Sequence, residues 1–239
     1  SVRVDFTLEV DKKARVRLVA SDIAGHRRVI EVLDVAESGR VGFETKLDRF
    51  LDGGALWVEV EARGGGVGLA DLRWTVAAPD HVRPVAIAIC TFNRADDCAA
   101  TVAALASDET VLAGIDALFV VDQGTDHVRD REMFTTAAQR LGDKLRYLQQ
   151  PNLGGAGGFT RGLYEVSAVN EHADVILMDD DILCEPETVL RLHAFANMTV
   201  EPTLVGAQML FLLNPDYLNI SAEEVHLHDL QHGQKVPKA

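Results

Sequence analysis

VILMDDD, residues 175–181, places three carboxylates directly after four apolar residues. A short apolar run of this kind is typical of a strand that is buried on both faces of a parallel sheet. In open sheets of that type, ligands bind just beyond the carboxyl ends of the strands. The run therefore predicts a buried strand that leads into a polar site.

The three carboxylates of this run point to a divalent cation. In a poorly solvated crevice they repel one another unless a counter-charge is present. Asp179 and Asp181 lie on the same side of an extended chain. Two carboxylates so placed suit Mg²⁺ or Mn²⁺, which take oxygen ligands and leave positions for substrate phosphates. The alternative is an acidic N-terminus for the helix predicted from Pro186, and the number of carboxylates favours the metal.

Similar apolar runs alternate with helical patterns on both sides of this strand. The other runs are residues 85–90, 115–121, 145–149 and 204–211. Helical patterns cover residues 95–107, 131–141, 159–170 and 186–196. Parallel neighbours need crossover connections of about a dozen residues, which these helices supply. The pattern predicts a mostly parallel α/β sheet.

Three more polar segments follow predicted strands. They are Thr91-Phe92-Asn93-Arg94, Asp122-Gln123-Gly124-Thr125 and residues 150–158 (QPNLGGAGG). Because the carboxyl ends of parallel strands share one edge of a sheet, we expect all four segments to meet in one crevice.

The glycines of residues 150–158 allow two interpretations. Backbone amides and a helix N-terminus near Phe159 can approach an anion closely, or the turn simply packs close to the sheet. Thr160 stands where a dinucleotide fingerprint requires glycine, and no Walker lysine follows.

Three charged residues near these segments also leave two roles open. Arg94 pairs with a phosphate or is an ordinary surface arginine at the start of a helix. Asp122 accepts hydrogen bonds from a base or ribose, or caps the next turn. Arg161 contacts an acceptor or phosphate, or lies on a solvated face. Their occurrence together favours the binding role for all three.

The first third of the chain has a different periodicity. Apolar and polar residues alternate over residues 2–10, 15–20, 56–61 and 72–76, and glycine pairs and triplets lie between them. Such alternation predicts an antiparallel β-sandwich, here residues 1–78. Two prolines mark residues 79–84 as a linker, and residues 85–239 form the α/β domain.

Composition excludes several classes of protein. Among 239 residues, 37 are acidic and 23 basic, so a formal charge of −14 argues against a nucleic-acid partner. No apolar run approaches the roughly 20 residues of a membrane-spanning helix. Cys90, Cys98 and Cys184 suit reduced thiols of a cytoplasmic protein. His226, His228 and His232 are interpreted as surface histidines, not metal ligands.

These motifs resemble those of the metal-dependent GT-A glycosyltransferases, and among them the polymerising galactofuranosyltransferases of cell-wall galactan synthesis. The resemblance rests on residues 52–57 (DGGALW), 91–94 (TFNR), 122–124 (DQG), 150–155 (QPNLGG), 178–182 (MDDDI) and 205–210 (VGAQML). Many transferases share the aspartate triplet, whereas QPNLGG is much more specific. The expected fold is a GT-A-like α/β domain preceded by an all-β sandwich.

The resemblance also implies a donor and roles for particular residues. Uridine and pyrophosphate of UDP-galactofuranose would be held by Thr91, Phe92 and Arg94. Other members of the donor pocket would be Asp122, Asn152, Gly154, Gly155 and Asp180. Mn²⁺ or Mg²⁺ would be carried by Asp179 and Asp181.

The reaction implied is transfer of galactofuranose, with inversion, to a galactan or lipid-linked oligosaccharide acceptor. The resemblance further implies a homo-oligomer in the cytoplasm, at the inner face of the plasma membrane, and it is compatible with peripheral membrane association.

Family members continue beyond the match, through a tryptophan-rich acceptor segment, a catalytic aspartate and a metal-binding histidine. We find no counterpart of these before Ala239, so we expect a fragment whose general base lies beyond that residue. The alternative is a catalytically incomplete carbohydrate-binding or assembly module. A nucleotidyltransferase is disfavoured because the glycine-rich segment lacks basic residues for a triphosphate.

Overall fold

The change of periodicity along the chain separates two structural units. The computed structural model describes residues 1–48, 53–199, 201, 203–207, 209–220, 223–224 and 234–235. The chain divides into Ser1–Ala78 and Pro79–Ala239. Residues 79–84, expected as a linker, group with the second unit, where the backbone N–H of Arg83 donates to Asn197 Oδ1 over 2.7 Å.

The first unit consists of two three-stranded antiparallel sheets. Its strands are β1 (Val2–Val10), β2 (Ala14–Ser21), β3 (Arg27–Val35), β4 (Gly39–Thr45), β5 (Ala55–Ala62) and β6 (Val67–Val76). The strand orders are β4-β1-β6 and β3-β2-β5, and all neighbours are antiparallel. Alternate residues of β1 and β2, such as Phe6 and Val16, are buried in one apolar core. The predicted antiparallel sandwich is confirmed.

Four parallel strands form the sheet of the second unit. They are β7 (Val85–Thr91), β8 (Ala117–Asp122), β9 (Leu145–Gln149) and β10 (Asp174–Asp179). Helices follow or connect them: α1 (Ala95–Ser107), α2 (Glu109–Gly114), α3 (Glu132–Leu141), α4 (Gly154–Val169) and α5 (Glu187–Met198). The spatial order is β10-β7-β8-β9, with every pair parallel. The predicted parallel α/β fold is confirmed.

Helices cover both faces of this sheet. Ile87 and Ile89 of β7 pack with residues of α1, α2, α3 and α5 in one core, whereas Ala86 and Ala88 pack with Val166 of α4 in another. Burial on both faces explains why β7 is apolar throughout instead of alternating.

The order of the strands creates a switch point. From β7 the chain moves outward to β8 and β9, and then α4 returns it to the other side of β7, where β10 pairs. Open α/β sheets bind ligands in the crevice where the strand order reverses in this way. That crevice lies between the carboxyl ends of β7 and β10.

One predicted strand does not join the parallel sheet. Among the described residues of the apolar run 204–211, the strand is the three-residue β11 (Met209–Phe211), which pairs antiparallel with β12 (Asn214–Ile220). Its three side chains are exposed, and the run was misassigned because periodicity alone does not distinguish a buried strand from an exposed hairpin. A second small pair joins β13 (Glu223–Glu224) to β14 (Gln234–Lys235).

Some residues singled out in the sequence lie outside the described residues, namely Asp52, Gln208, His226, His228 and His232. Over the part of the chain that the structure describes, none of the helices has the length and apolar character needed to span a membrane.

Candidate functional site

The four polar segments lie at the same edge of the parallel sheet, where the strands that precede them end. Asp179 of β10 lies opposite Cys90 of β7, and Thr91 of β7 lies opposite Asp122 of β8. Asp122 in turn lies opposite Gln149 of β9. This register brings together the segments that the sequence placed in one crevice.

The aspartate triplet alternates between outward and inward side chains. Asp179 and Asp181 are exposed, whereas Asp180 is buried. The hydroxyl of Thr101 in α1 donates to the backbone carbonyl of Asp180 over 3.0 Å and lies 3.3 Å from that of Ile182. Helix α1 thereby holds the turn so that two carboxylates face solvent.

Arg94 and Asp181 form an ion pair across the switch point. Arg94 follows β7 as the N-cap residue of α1, and its Nη1 donates to Asp181 Oδ2 beyond β10. About half of each side chain is exposed, 51% for Arg94 and 45% for Asp181. The pair is therefore open to ligands from solvent.

Asp180 is the buried residue of the triplet and directly precedes Asp181 of this ion pair. Burial raises the pKa of its carboxyl above the usual range, and the hydroxyl of Thr91 and the charge of Arg94 offset only part of that effect. A buried carboxyl of this kind supports the turn from within.

Asn93 joins the loops after β7 and β8. Its φ is +54°, and its Oδ1 accepts from the backbone N–H groups of Thr125 and Asp126 over 2.8 and 3.1 Å. A Cβ on Gly124 would lie 2.7 Å from that oxygen, so the close approach requires glycine. Asn93 lies in a segment expected at the crevice but was given no role of its own, although asparagine's tolerance of positive φ is a usable signal.

Asp122 is enclosed by protein donors. Its carboxylate accepts from the backbone N–H groups of Gly124 and Val128, over 2.9 and 3.1 Å, and from the Tyr147 hydroxyl over 2.5 Å. Burial and this carboxylate together raise the pKa of Tyr147. Asp122 therefore caps the turn after β8, the second of the roles that the sequence left open.

Gln123 holds the glycine-rich segment against the sheet. Its Oε1 accepts from the backbone N–H of Leu153 over 2.9 Å and from Gln150 Nε2 over 3.0 Å. Its Nε2 donates to the carbonyl of Gly154 over 3.0 Å. Sequence reasoning missed this residue, since nothing in a lone glutamine indicates three partners in another loop.

Helix α4 begins inside the glycine-rich segment, at Gly154 and not near Phe159 as predicted. Glycine has low helix propensity, but here packing requires it. A Cβ on Gly158 would overlap Cys90 Sγ, and one on Gly162 would lie 2.7 Å from Ala88 Cβ. Gly155, by contrast, has open space around it. The segment thus combines close packing at its end with an exposed start.

The residues expected to contact the donor fall into two groups. Those enclosed by the protein are Thr91, Asp122 and Asp180, with exposed fractions of 2%, 1% and 8%. Those exposed at the edge are Phe92, Arg94, Asn152, Gly154, Gly155, Asp179 and Asp181. The enclosed side chains help to shape the loops in this structure, and their direct contact with the donor stays a prediction.

The exposed carboxylates at this edge suit a divalent cation that binds together with a diphosphate. Within the described ranges, no group of three or more His, Cys, Asp or Glu side chains is assembled for a metal. Asp179 and Asp181 offer two exposed carboxylates, and Mg²⁺ is commonly held by one or two carboxylates together with substrate phosphates. The chemistry of these two residues is sufficient for that mode of binding.

Two family models match the chain. Residues 82–234 match the family described as glycosyltransferase like family 2, and residues 2–77 match the galactofuranosyltransferase 2 N-terminal domain.

Curated relatives match almost the whole chain. Galactofuranosyltransferase GlfT2 of Mycolicibacterium smegmatis is 39% identical over 227 residues, which cover 93% of this chain and 35% of the relative. Galactofuranosyltransferase GlfT2 of Mycobacterium tuberculosis is 36% identical, again over 93% of this chain, and 36% of the relative is covered. The chain thus spans about a third of the length of these relatives.

Among solved structures, a mannosyltransferase of Pyrobaculum calidifontis in complex with GDP-Man and Mn²⁺ aligns with a TM-score of 0.36 and 16% identity. The alignment covers 54% of this chain and 36% of that chain, and no inference rests on it. The family match, by contrast, covers more than half of this chain and includes all four strand-end segments. The resemblance seen in the motifs is confirmed, and the chain belongs to glycosyltransferase-like family 2.

Proposed function

We propose that this protein acts in a galactofuranosyltransferase that takes galactofuranose from UDP-galactofuranose and adds it to a growing galactan. Support for the sugar comes from the two curated relatives, both of which are galactofuranosyltransferases. The observation that carries the proposal for this chain is the ion pair of Arg94 with Asp181 at the switch point, where Asp179 of the same triplet is also exposed. A cation and two metal-binding oxygen groups at that place suit a nucleotide diphosphate.

Each exposed residue has a chemical role in this proposal. Asp179 and Asp181 would hold Mn²⁺ or Mg²⁺, which when bound supplies a Lewis acid that offsets charge on the departing UDP. The guanidinium of Arg94 would donate to phosphate oxygens. Phe92, with 47% of its surface exposed, offers an aromatic face for the uracil ring.

The start of α4 would complete the donor pocket. The side-chain oxygen of Asn152 accepts from the backbone N–H of Gly154 over 2.9 Å and fixes this turn. With open space around Gly155, the backbone is accessible to the sugar or the diphosphate.

The acceptor in this proposal is a galactan or lipid-linked oligosaccharide, and transfer proceeds with inversion at the sugar carbon. Inversion requires a general base on the face opposite UDP, and the proposal assigns that role to none of the residues described above. We also propose that the protein forms a homo-oligomer and associates peripherally with the cytoplasmic face of the membrane.

Calorimetric titration of the purified chain with UDP, with and without Mn²⁺, tests the donor site. We expect binding that needs Mn²⁺ and that is lost in the Asp179→Ala, Asp181→Ala double variant. A matched control is the Asp130→Ala, Glu171→Ala double variant, which removes two exposed carboxylates elsewhere on the same unit. Equal UDP binding without metal would contradict the proposal.

A transfer assay separates the enzyme from a silent binding module. UDP-galactofuranose and a short galactan acceptor are incubated with the protein, and elongation is followed by mass spectrometry. Elongation that the aspartate double variant lacks would support the transferase. UDP binding with no elongation would instead favour the catalytically incomplete carbohydrate-binding or assembly module.

A further inference from the structure

The ion pair between Arg94 and Asp181 occupies two groups that the proposed donor complex needs. The guanidinium that would hold the diphosphate is neutralised by a carboxylate, and the carboxylate that would hold the metal accepts a hydrogen bond from that guanidinium. These residues are 87 positions apart in the chain and meet only because β10 returns beside β7.

We propose that Arg94 is a stand-in cation for Asp181, and that metal and diphosphate displace it together. In this exchange Asp181 passes from the guanidinium to the divalent cation, and Arg94 passes from the carboxylate to the diphosphate. The inference rests on the proposed function and deepens it, because it states how the two ligands of that site depend on each other.

Exposure keeps the exchange reversible. An ion pair whose side chains are about half exposed is worth only about a two- to fivefold factor in an equilibrium constant. Arginine with phosphate and carboxylate with a divalent cation are both strong pairings. When metal and diphosphate bind together, Asp181 gains the metal as its partner and Arg94 gains the diphosphate.

Either ligand alone lacks that compensation. A metal ion that binds without diphosphate must displace Arg94 and then lie beside a guanidinium whose other carboxylate partner, Asp97, is 4.0 Å away. A diphosphate that binds without metal must take Arg94 and leave Asp181 unpaired beside its own negative charge. The exchange therefore makes metal and nucleotide bind synergistically, and linkage requires the effect to be equal in both directions.

The first test measures Mn²⁺ binding without nucleotide, by calorimetry or by the electron paramagnetic resonance signal of free Mn²⁺. Arg94→Met removes the competing cation, so we expect Mn²⁺ affinity to rise about threefold. In the same variant, affinity for UDP in the presence of Mn²⁺ should fall. Arg140→Met is the control for net charge, because Arg140 of α3 pairs with the exposed Glu109 of α2. Unchanged or weaker Mn²⁺ binding in Arg94→Met, or an equal rise in the control, overturns the inference.

The second test measures UDP binding in the presence of a chelator and leaves Arg94 intact. Asp181→Asn removes the closer carboxylate partner of Arg94 and leaves only the 4.0 Å contact with Asp97 among the ion pairs of the described residues, so we expect metal-free UDP affinity to rise about threefold. Asp179→Asn is the matched control, since it removes an adjacent exposed carboxylate that is not the partner of Arg94 in this ion pair. A rise of equal size in both variants would be simple loss of repulsion and would overturn the inference.

The two proposals fail in different ways. If the wild-type chain binds no UDP even with Mn²⁺, the proposed donor site fails. If it binds UDP with Mn²⁺ but the variants do not separate from their controls, only the exchange fails. Circular dichroism of each variant checks folding, and the Asp181→Asn comparison stands even if Arg94→Met does not fold.

Discussion

The side-chain oxygen of Gln123 accepts a hydrogen bond from the backbone N–H of Leu153 over 2.9 Å, and this bond ties the end of β8 to the N-cap of α4. Gln123 is buried, with 5% of its surface exposed. This side chain, the bond from the backbone N–H of Gln150 to the carbonyl of Asp122 and the close packing of Gly158 against Cys90 together place the glycine-rich segment at the crevice.

Replacing Gln123 by alanine should remove its hydrogen bonds to the N–H of Leu153, the carbonyl of Gly154 and the side chain of Gln150. Because each lost hydrogen bond is worth about 0.5 to 1.5 kcal/mol, we expect the free energy of unfolding to fall by about 1 to 3 kcal/mol, measured by urea denaturation. Gln139→Ala on the exposed face of α3 is the control and should change it little. Equal losses in both variants would contradict the role given to Gln123.

Two glycines of α4 should respond oppositely to the same substitution. Gly158→Ala places a methyl group on Cys90 Sγ and should destabilise the protein by about 1 to 3 kcal/mol. Gly155→Ala meets open space in a helix and should stabilise it by up to about 1 kcal/mol. Urea denaturation of the two variants measures the difference. The packing described for α4 would be wrong if the two substitutions had the same sign.

The positive φ of Asn93 predicts that alanine is worse there than glycine. Both substitutions remove the oxygen that accepts from Thr125 and Asp126, but only alanine also strains the backbone at a φ of +54°. We expect Asn93→Ala to be less stable than Asn93→Gly by about 1 kcal/mol, measured by thermal unfolding. Equal stability of the two variants would show that the loop adopts another conformation.

Asp180 predicts a pH dependence of stability. Burial raises the pKa of its carboxyl in the folded state, so the folded protein holds this proton to higher pH than the unfolded chain does. Stability should then fall as the pH rises from the ordinary aspartate pKa through the raised value. Above that range the loss is complete, and below the ordinary value it is absent.

The variant Asp180→Asn isolates this contribution when urea denaturation is repeated from pH 4 to pH 7 with a chelator present. Relative to wild type, we expect the variant to gain stability as the pH rises. Asp179→Asn, with its side chain in solvent, is the control. A difference between Asp180→Asn and wild type that stays constant with pH would refute the prediction.

Sequence patterns predicted those helices and strands whose formation depends mainly on their own residues. Residues 95–107 and 145–149 were predicted as a helix and a strand, and these are the bounds of α1 and β9. β3 was missed because it is an edge strand with nearly every residue exposed, so it shows no alternation of burial. The early start of α4 was missed because contact with Cys90, in a different element, outweighs the low helix propensity of glycine.

The location of the candidate site could be predicted because its segments follow the carboxyl ends of the parallel strands. The alternation along residues 179–181 placed Asp179 and Asp181 on the same side of the chain, and in the structure both are exposed while Asp180 is buried. It did not reveal that Asp122 is enclosed, since the Tyr147 hydroxyl that covers it comes from the next strand, 25 residues later. Partners distant in sequence decide whether a polar residue faces a ligand or the protein, and no local pattern encodes them.

The return of β10 to the side of β7 also has a consequence during synthesis. Arg94 leaves the ribosome 87 residues before Asp181 does, and the strands between them take the opposite side of β7. Until β10 emerges, the nascent chain has an open edge on its central strand and only the arginine half of the crevice. Translation must therefore pass Asp181 before the two charges can meet, which makes this crevice one of the last parts of the sheet to assemble.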